Sequence, residues 1–398
     1  MTQHQTTASP GKHPAAIPFW RDPDKLGIIY QALALCLVSL FGYYIFSNTQ
    51  ANLARQAIAT GFGFLDNEAG FEIGEKLVQY SAADSYARAL AVGVLNTLKV
   101  SLLGIVLTIA LGIIVGIARL STNWLVSRLA AIYIEVLQNI PVLLQLFFWY
   151  AIFHDTLPMP RMSWNPLPGI FFNNRGFYYP IPESHPVHPW MLGALVAAMV
   201  FGYFLKRWAK ERQDRTGQIF PVGLSITGLI LGLPLLTWLF GGTPTALNVP
   251  ELSGFNFRGG LNFSPEFCAL LLGLVLYTSA FVAEIVRSGI QAISKGQTEA
   301  AMSLGLRPNR ILTLVILPQA LRVIIPPLTS QMLNLTKNSS LAVAIGYPDF
   351  VSVANTTINQ TGQAIEGVAL IMVVYLFISL VTSAFMNWYN KKKALVER

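Results

Sequence analysis

EIVRSGIQAISKGQTEAAMSLGLRPNRILTLVILPQALRVIIPP, residues 284–327, is a polar, basic segment set between long apolar runs. Ser294-Lys295-Gly296-Gln297 reads as a capping box, the serine accepting from the Gln297 amide while the glutamine side chain reaches back, so a helix starts there. Gly305 follows Leu304 where a left-handed residue ends such a helix, and Leu306 offers the apolar contact that accompanies that end. Pro308 suits the first turn of a second helix. The spacing therefore predicts helix, tight turn, helix. So short a first helix does not hold in water alone. A docking partner or the membrane face has to support it, which makes the segment a handle for another protein.

Composition places the flanking runs in a bilayer. Of 398 residues 53% are hydrophobic and 12% charged, with a mean hydropathy of +0.51, whereas about a quarter of a soluble domain is charged. The net charge of +8 does not point to nucleic acid, because the basic residues lie at the ends of apolar runs. Cys36 and Cys268 both fall inside apolar segments, which argues against a disulfide framework or a metal site.

In chain order, residues 1–25 form a polar tail carrying Pro10, Pro14 and Pro18. The apolar run 26–46 exceeds the ~7–15 residues of a signal-peptide core and reads as an uncleaved first span. Residues 47–90 form an outer loop with short interfacial helices. Further spans are expected at 92–118, 126–153, 190–205, 219–240, 266–286, 323–345 and 367–389, each near the ~20 residues needed to cross. The stretches 155–189 and 241–264 read as outer loops without periodicity. Trp149, Tyr150, Trp190, Trp388 and Tyr389 sit near span ends, where amphipathic rings favour the interface. The fold class is an all-α membrane protein of about eight transmembrane helices.

Lysines and arginines orient the spans. With the N-terminus inside, the inner segments hold Lys12, Arg21, Lys25, Arg119, Arg128, the basic loop 206–215, Arg287, Lys295, Arg307, Arg310, Arg322, Lys391, Lys392, Lys393 and Arg398. The outer segments, longer in total, hold Arg55, Lys76, Arg88, Arg161, Arg175 and Arg258. This bias puts both termini and the 284–322 region in the cytoplasm.

Glu299-Ala300-Ala301, three residues, Gly305, nine residues and Val315-Ile316-Leu317-Pro318 resemble the E-A-A signature of inner-membrane permease subunits of ABC importers, whose consensus has isoleucine at Val315. The surrounding GQTEAAMSLGLRP, LPQALRVIIPP and LTKNSSLAVAIG are similar to the permeases for polar amino acids, most of all the larger permeases of general L-amino-acid transporters. That likeness runs from about residue 26 to the C-terminus and includes NTLKVSLLGIVLTIALG and EVLQNIPVLLQLFFWY. The resemblance implies a type I ABC importer permease core in a bacterial inner membrane. It implies that Glu299, Ala300, Ala301, Gly305, Arg307 and Pro308 couple the chain to an ATP-binding subunit, with Glu299 and the alanines seated in its cleft. It further implies a second permease, a paralogue by preference, an external amino-acid-binding protein and polar L-amino acids as substrate. The expected organisation is a tail 1–25, a first transmembrane part 26–154, an insert 155–265 with two extra spans, a core 266–390 with the coupling loop 287–322, and a tail 391–398. Shorter family members lack the insert, whose preferred reading is a peripheral stabilising hairpin.

The chain has no G-x-x-x-x-G-K-[ST], so ATP and Mg²⁺ are expected on partner subunits and no cofactor on this one. His4, His13, His154, His185 and His188 lie in the tail or outer loops without metal-ligand spacing on a helix, and no nucleophile, base and acid form a local constellation. The reading is a transporter subunit, not an enzyme. Intramembrane polar groups give the path candidates, because burying them in hydrocarbon is costly. Glu135, Gln138, Asn139 and Gln145 share one sector of a helical wheel, with Pro141 kinking the helix, and serve either as path lining or as polar glue. After Pro326-Pro327, Gln331, Asn334 and Asn338 recur at three- and four-residue spacing, joined by Thr336, Lys337, Ser339 and Ser340. A helix loosened here offers backbone groups to a zwitterion. Lys337 either attracts a carboxylate or forms a salt bridge to Glu135, Glu366 or a partner chain. Glu284 and Arg287 read as interface anchors. The competing hypothesis is an ion-coupled secondary transporter or channel, which gives the structured loop no task.

Overall fold

A computed structural model describes residues 23–55 and 60–393, so most of both expected tails lies outside the described residues. The helices are α1 (Pro23–Arg55), α2 (Tyr86–Arg119), α3 (Trp124–Asn139), α4 (Val142–Ala151), α5 (Val187–Thr216), α6 (Val222–Phe240), α7 (Pro265–Gln291), α8 (Lys295–Ser303), α9 (Pro308–Ile311), α10 (Leu317–Asn338), α11 (Phe350–Thr361) and α12 (Ala364–Lys393). Among the described residues seven helices are long and apolar enough to cross a membrane, and eight if the bent pair α3 and α4 counts as one span. The protein is a helical membrane protein, as expected.

Two helices organise the bundle. α2 and α7 pack along each other because Gly112 and Gly116 remove the side chains that would hold them apart. A Cβ on Gly112 would lie 2.4 Å from Val282 Cγ1, and one on Gly116 2.7 Å from the Ala283 carbonyl oxygen. In a bilayer lipid tails are as apolar as leucine, so this close van der Waals fit, rather than water exclusion, is what holds the pair. Ala269, Leu270, Leu274 and Val282 of α7 are fully buried, and α3, α4 and α10 pack around them. α11 crosses α2 where Phe350 and Val353 meet Gly93, and α12 lies on α10 and α11. α1, by contrast, is exposed along nearly all of its length.

The described part of the segment 47–90, expected as an outer loop, is more ordered than its mixed composition suggested. α1 runs to Arg55, and from Phe62 the chain folds as a short 3-10 turn and extended segments. Phe64, Ala69, Ile73 and Tyr80 pack on Tyr86, Ala89, Leu90 and Val92 of α2.

The insert differs from expectation in two places. Residues 206–215 are not a loop but the last turns of α5, which ends at Gly217 with φ +69°. This KRWAKERQDR run consists largely of good helix formers, and Arg207 pairs with Glu211 one turn on at 3.4 Å. The stretches read as loops also contain strands: β1 (Trp164–Leu167), β2 (Ile170–Asn173), β3 (Gly176–Tyr179), β4 (Ile181–Pro182), β5 (Leu247–Asn248), β6 (Glu251–Ser253), β7 (Asn256–Arg258) and β8 (Leu261–Phe263). They form an antiparallel sheet in the order β1-β2-β3-β8 and two ribbons, β4-β5 and β6-β7. Strands of two to four residues are too short to display a two-residue period, which is why no pattern showed. Tilted ring pairs stabilise them instead: Phe171 against Phe257 at 4.4 Å and Phe172 against Phe177 at 4.5 Å. α5 and α6 form a hairpin in which Gly202 admits Ile226.

Candidate functional site

The loop between α7 and α10 has the predicted helix-turn-helix form. Ser294 occupies the N-cap position of α8, but its side chain makes no capping bond; the Gln297 amide donates to the Ser294 carbonyl instead, at 3.1 Å. The capping box expected there does not form, because the Gln297 side chain is turned toward Gln319, whose Nε2 donates to Gln297 Oε1 at 3.4 Å. The C-terminal end has the expected left-handed glycine. Gly305 has φ +76°, its amide donates to Met302 O at 2.8 Å, and the Leu306 amide donates to Ala301 O at 3.3 Å. That pair of bonds is a Schellman turn. Arg307 is the N-cap of α9 in extended conformation, and Pro308 is its first residue.

Exposure divides the alanines. Glu299 and Ala300 face solvent, whereas Ala301 is 4% exposed, and its carbonyl accepts the Leu306 amide that closes the turn. Ala301 therefore supports the loop from within instead of lying on its outer surface. At the root of the loop, Arg287 Nε donates to Glu284 at 2.9 Å and Nη1 donates to Gln291 at 2.7 Å.

At Pro141 the chain breaks more sharply than a kink. α3 and α4 meet at 103°, and Ile140 adopts an extended conformation, as a residue before proline prefers. The break separates the first polar stripe: Glu135, Gln138 and Asn139 remain on α3, while Gln145 belongs to α4 and does not share their sector. Gln145 is buried, and its Nε2 donates to the carbonyls of Leu137 at 2.9 Å and Ile140 at 3.0 Å. It thus satisfies carbonyls that the broken helix leaves open. Gln138 donates to Ala280 O at 3.2 Å, tying α3 to α7, and Asn139 donates to the Glu135 carbonyl at 2.7 Å. The Glu135 side chain is on the exposed face.

The second stripe lies on α10, which stays α-helical to Asn338 despite Pro326 and Pro327 and then tightens into a 3-10 turn, Ser339–Ile345. Loosened carbonyls are not on offer here, since Ser339 Oγ donates to Thr336 O and Ser340 Oγ to Lys337 O, each at 2.7 Å. Ser339 and Thr336 are buried, Gln331, Asn338 and Ser340 are half-buried, and Asn334 and Lys337 are exposed. Lys337 and Ser340 line a groove of about 480 Å³ with Val351, Tyr375 and Ser379. Among the described residues Lys337 has no ion pair; Glu366, one of its expected partners, accepts from the Gly61 amide at 2.7 Å.

At the end of the bundle opposite α8, the sequence reading missed a buried polar network. Lys99 of α2 pairs with Glu75 of the 60–85 loop beneath the rings of Phe263 and Phe267, and Ser264 donates to the other Glu75 oxygen at 2.7 Å. Asn96 Nδ2 donates to the carbonyls of Glu75 at 2.8 Å and Pro348 at 2.9 Å. Asp349 caps α11 through the Ser352 amide and accepts from Tyr375 at 3.2 Å. It lies outside the spanning segments, and burial pushes its carboxyl up to about 6. A single lysine inside a 34-residue apolar helix was the one available signal.

A family model, binding-protein-dependent transport system inner membrane component, matches residues 108–394. The chain is 49% identical over 377 residues to the general L-amino acid transport system permease protein AapQ of Rhizobium johnstonii, covering 95% of this chain and 94% of that one. It is 52% identical over 380 residues to the putative amino-acid ABC transporter permease protein YhdX of Escherichia coli K12, covering 95% and 96%. It is 42% identical over 424 residues to the glutamate/glutamine/aspartate/asparagine transport system permease protein BztB of Rhodobacter capsulatus, covering 95% and 99%. With a match over most of its length and a bundle that carries an exposed helix-turn-helix between two spans, the chain belongs to the family of binding-protein-dependent transport system inner membrane components.

Proposed function

We propose that this chain is a permease subunit of an ATP-driven importer of polar L-amino acids in a bacterial inner membrane, with both termini in the cytoplasm. It forms half of the path, with a paralogous permease as the other half. An external binding protein delivers substrate, and two ATP-binding subunits carry ATP and Mg²⁺ and perform the hydrolysis. The observation that carries this reading is the exposed face of α8. Glu299 and Ala300 stand outward on a nine-residue helix too short for autonomous stability, positioned by the turn at Gly305. A small side chain beside a carboxylate allows close approach of a partner cleft. The alternative of an ion-coupled transporter leaves that face without a purpose.

The exposed members of the two stripes, Glu135, Asn139, Asn334 and Lys337, with half-buried Gln138, Gln331, Asn338 and Ser340, serve the path or the second permease. Gln145 and Ser339 act by shaping the backbone. The test of the main reading is copurification of the ATP-binding subunit with the full complex. Glu299→Arg is expected to abolish it while membrane abundance stays unchanged, because the residue is exposed. Retained copurification and ATP-dependent uptake in that variant would sink the coupling assignment.

A further inference from the structure

The end of the bundle opposite α8 holds a cavity of about 580 Å³ whose walls come from five parts of the chain. They are the 71–75 segment, the end of α4, the β2–β3 turn of the insert, and the starts of α7 and α11. The volume is within the range of small-molecule sites. Its charged groups are not equivalent. Glu75 is neutralised by Lys99 and holds Ser264, and Glu72 is engaged by Lys76 at 3.6 Å and by the Ala82 amide at 3.2 Å. His154 pairs with Asp155 at 2.8 Å. Two groups remain uncommitted. Glu266, in the first turn of α7, has one long contact from the Tyr150 hydroxyl at 3.5 Å. The Arg175 guanidinium, on the two-residue turn between β2 and β3, has no ion pair or side-chain hydrogen bond among the described residues. The turn is held independently of that side chain: the Arg175 amide donates to Asn173 Oδ1 at 2.9 Å, and Gly176 lies against Phe263 O. Beside Arg175, Asn174 also lines the cavity, and its Oδ1 is buried beneath the surface with no partner among the described residues.

We infer that this cavity is a subsite for a zwitterionic α-amino acid at the mouth of the path, Arg175 taking the carboxylate and Glu266 the ammonium. One unpaired cation and one unpaired carboxylate in a cavity of this size match the two charges of the ligand, and the guanidinium fork suits a carboxylate. The insert thus contributes a recognition group and is more than a peripheral hairpin. The inference rests on the amino-acid importer reading.

The test measures binding of L-glutamate, L-glutamine, L-alanine and L-arginine to the detergent-purified full chain by saturation-transfer NMR, for wild type, Arg175→Ala, Arg175→Lys and Glu266→Gln. Whole-cell uptake by the complete wild-type system is measured in parallel. Wild type is expected to bind all four at millimolar concentrations. Arg175→Ala and Glu266→Gln should each weaken binding by about tenfold or more, the loss of a charge-assisted pair, and Arg175→Lys by less. Unchanged affinity in Arg175→Ala, or no wild-type binding, overturns the subsite even if uptake is normal. Absence of amino-acid uptake by the wild-type system instead overturns the reading beneath it.

Discussion

Replacing Gly305 with valine isolates the backbone geometry of the proposed coupling loop from everything else. Nothing lies within 4 Å of a Cβ built at this glycine, so the substitution introduces no clash. Its cost comes from φ +76° alone. An L-residue held in the left-handed region loses roughly 1–2 kcal/mol, and a β-branched one sits at the upper end or beyond. At about 1.4 kcal/mol per tenfold, the native turn drops about five- to thirtyfold against its alternatives. α8 has nine residues and no N-terminal side-chain cap to resist that loss, so the helix should reorient or fray. The bundle itself should melt unchanged, because Gly305 is exposed and touches none of its core. The assay is ATPase stimulation and amino-acid uptake by the complete reconstituted complex, with membrane abundance as control. Gly305→Val is expected to lose most of both, Gly305→Ala part, and Gly305→Asn least, since asparagine tolerates the left-handed region. Full transport by Gly305→Val refutes the argument. Equal loss in Gly305→Asn would also refute it, because the defect would then follow side-chain bulk and not backbone conformation.

Two other predictions concern the bundle. Gly116→Val places its Cβ 2.7 Å from Ala283 O and 2.9 Å from Val286 Cβ, so α2 and α7 must separate. A loss of about 1–3 kcal/mol is expected, read as a lower melting temperature and reduced abundance, whereas Gly193→Ala, with open space around it, should be neutral. Asp349 has a carboxyl raised to about 6 from 3.8, chiefly by burial and against the bonds from Ser352 and Tyr375. The folded state therefore binds this proton more tightly than the unfolded state does, and stability present below pH 3.8 declines as pH rises through 6. Melting of wild type between pH 4 and pH 8 should show a decline worth up to about 3 kcal/mol, absent in Asp349→Asn, which keeps the cap. Equal pH slopes in the two proteins would count against it.

The membrane class, the spans and the helix-turn-helix around Gly305 were legible in the sequence because each is written in local terms. Apolar run length sets a span, and a glycine after an apolar periodic segment sets a left-handed turn. Ser294 shows the limit of such reading. The residue types permitted a capping box, but Gln297 had a tertiary alternative in Gln319, and local sequence does not reveal which acceptor or donor a side chain meets. The same holds at Pro141, where the sequence announced a kink. Only packing against α7, with Gln145 closing the freed carbonyls, makes it a 103° break that separates the first polar stripe. The role of Glu75 was unreadable because its partner Lys99 is 24 residues away and Ser264 is 189 away. Charges and short strands acquire meaning from what the fold brings beside them. For that reason the helix-turn-helix could be found in the sequence, while the cavity at the opposite end, assembled from five separated segments, could be found only in the tertiary structure.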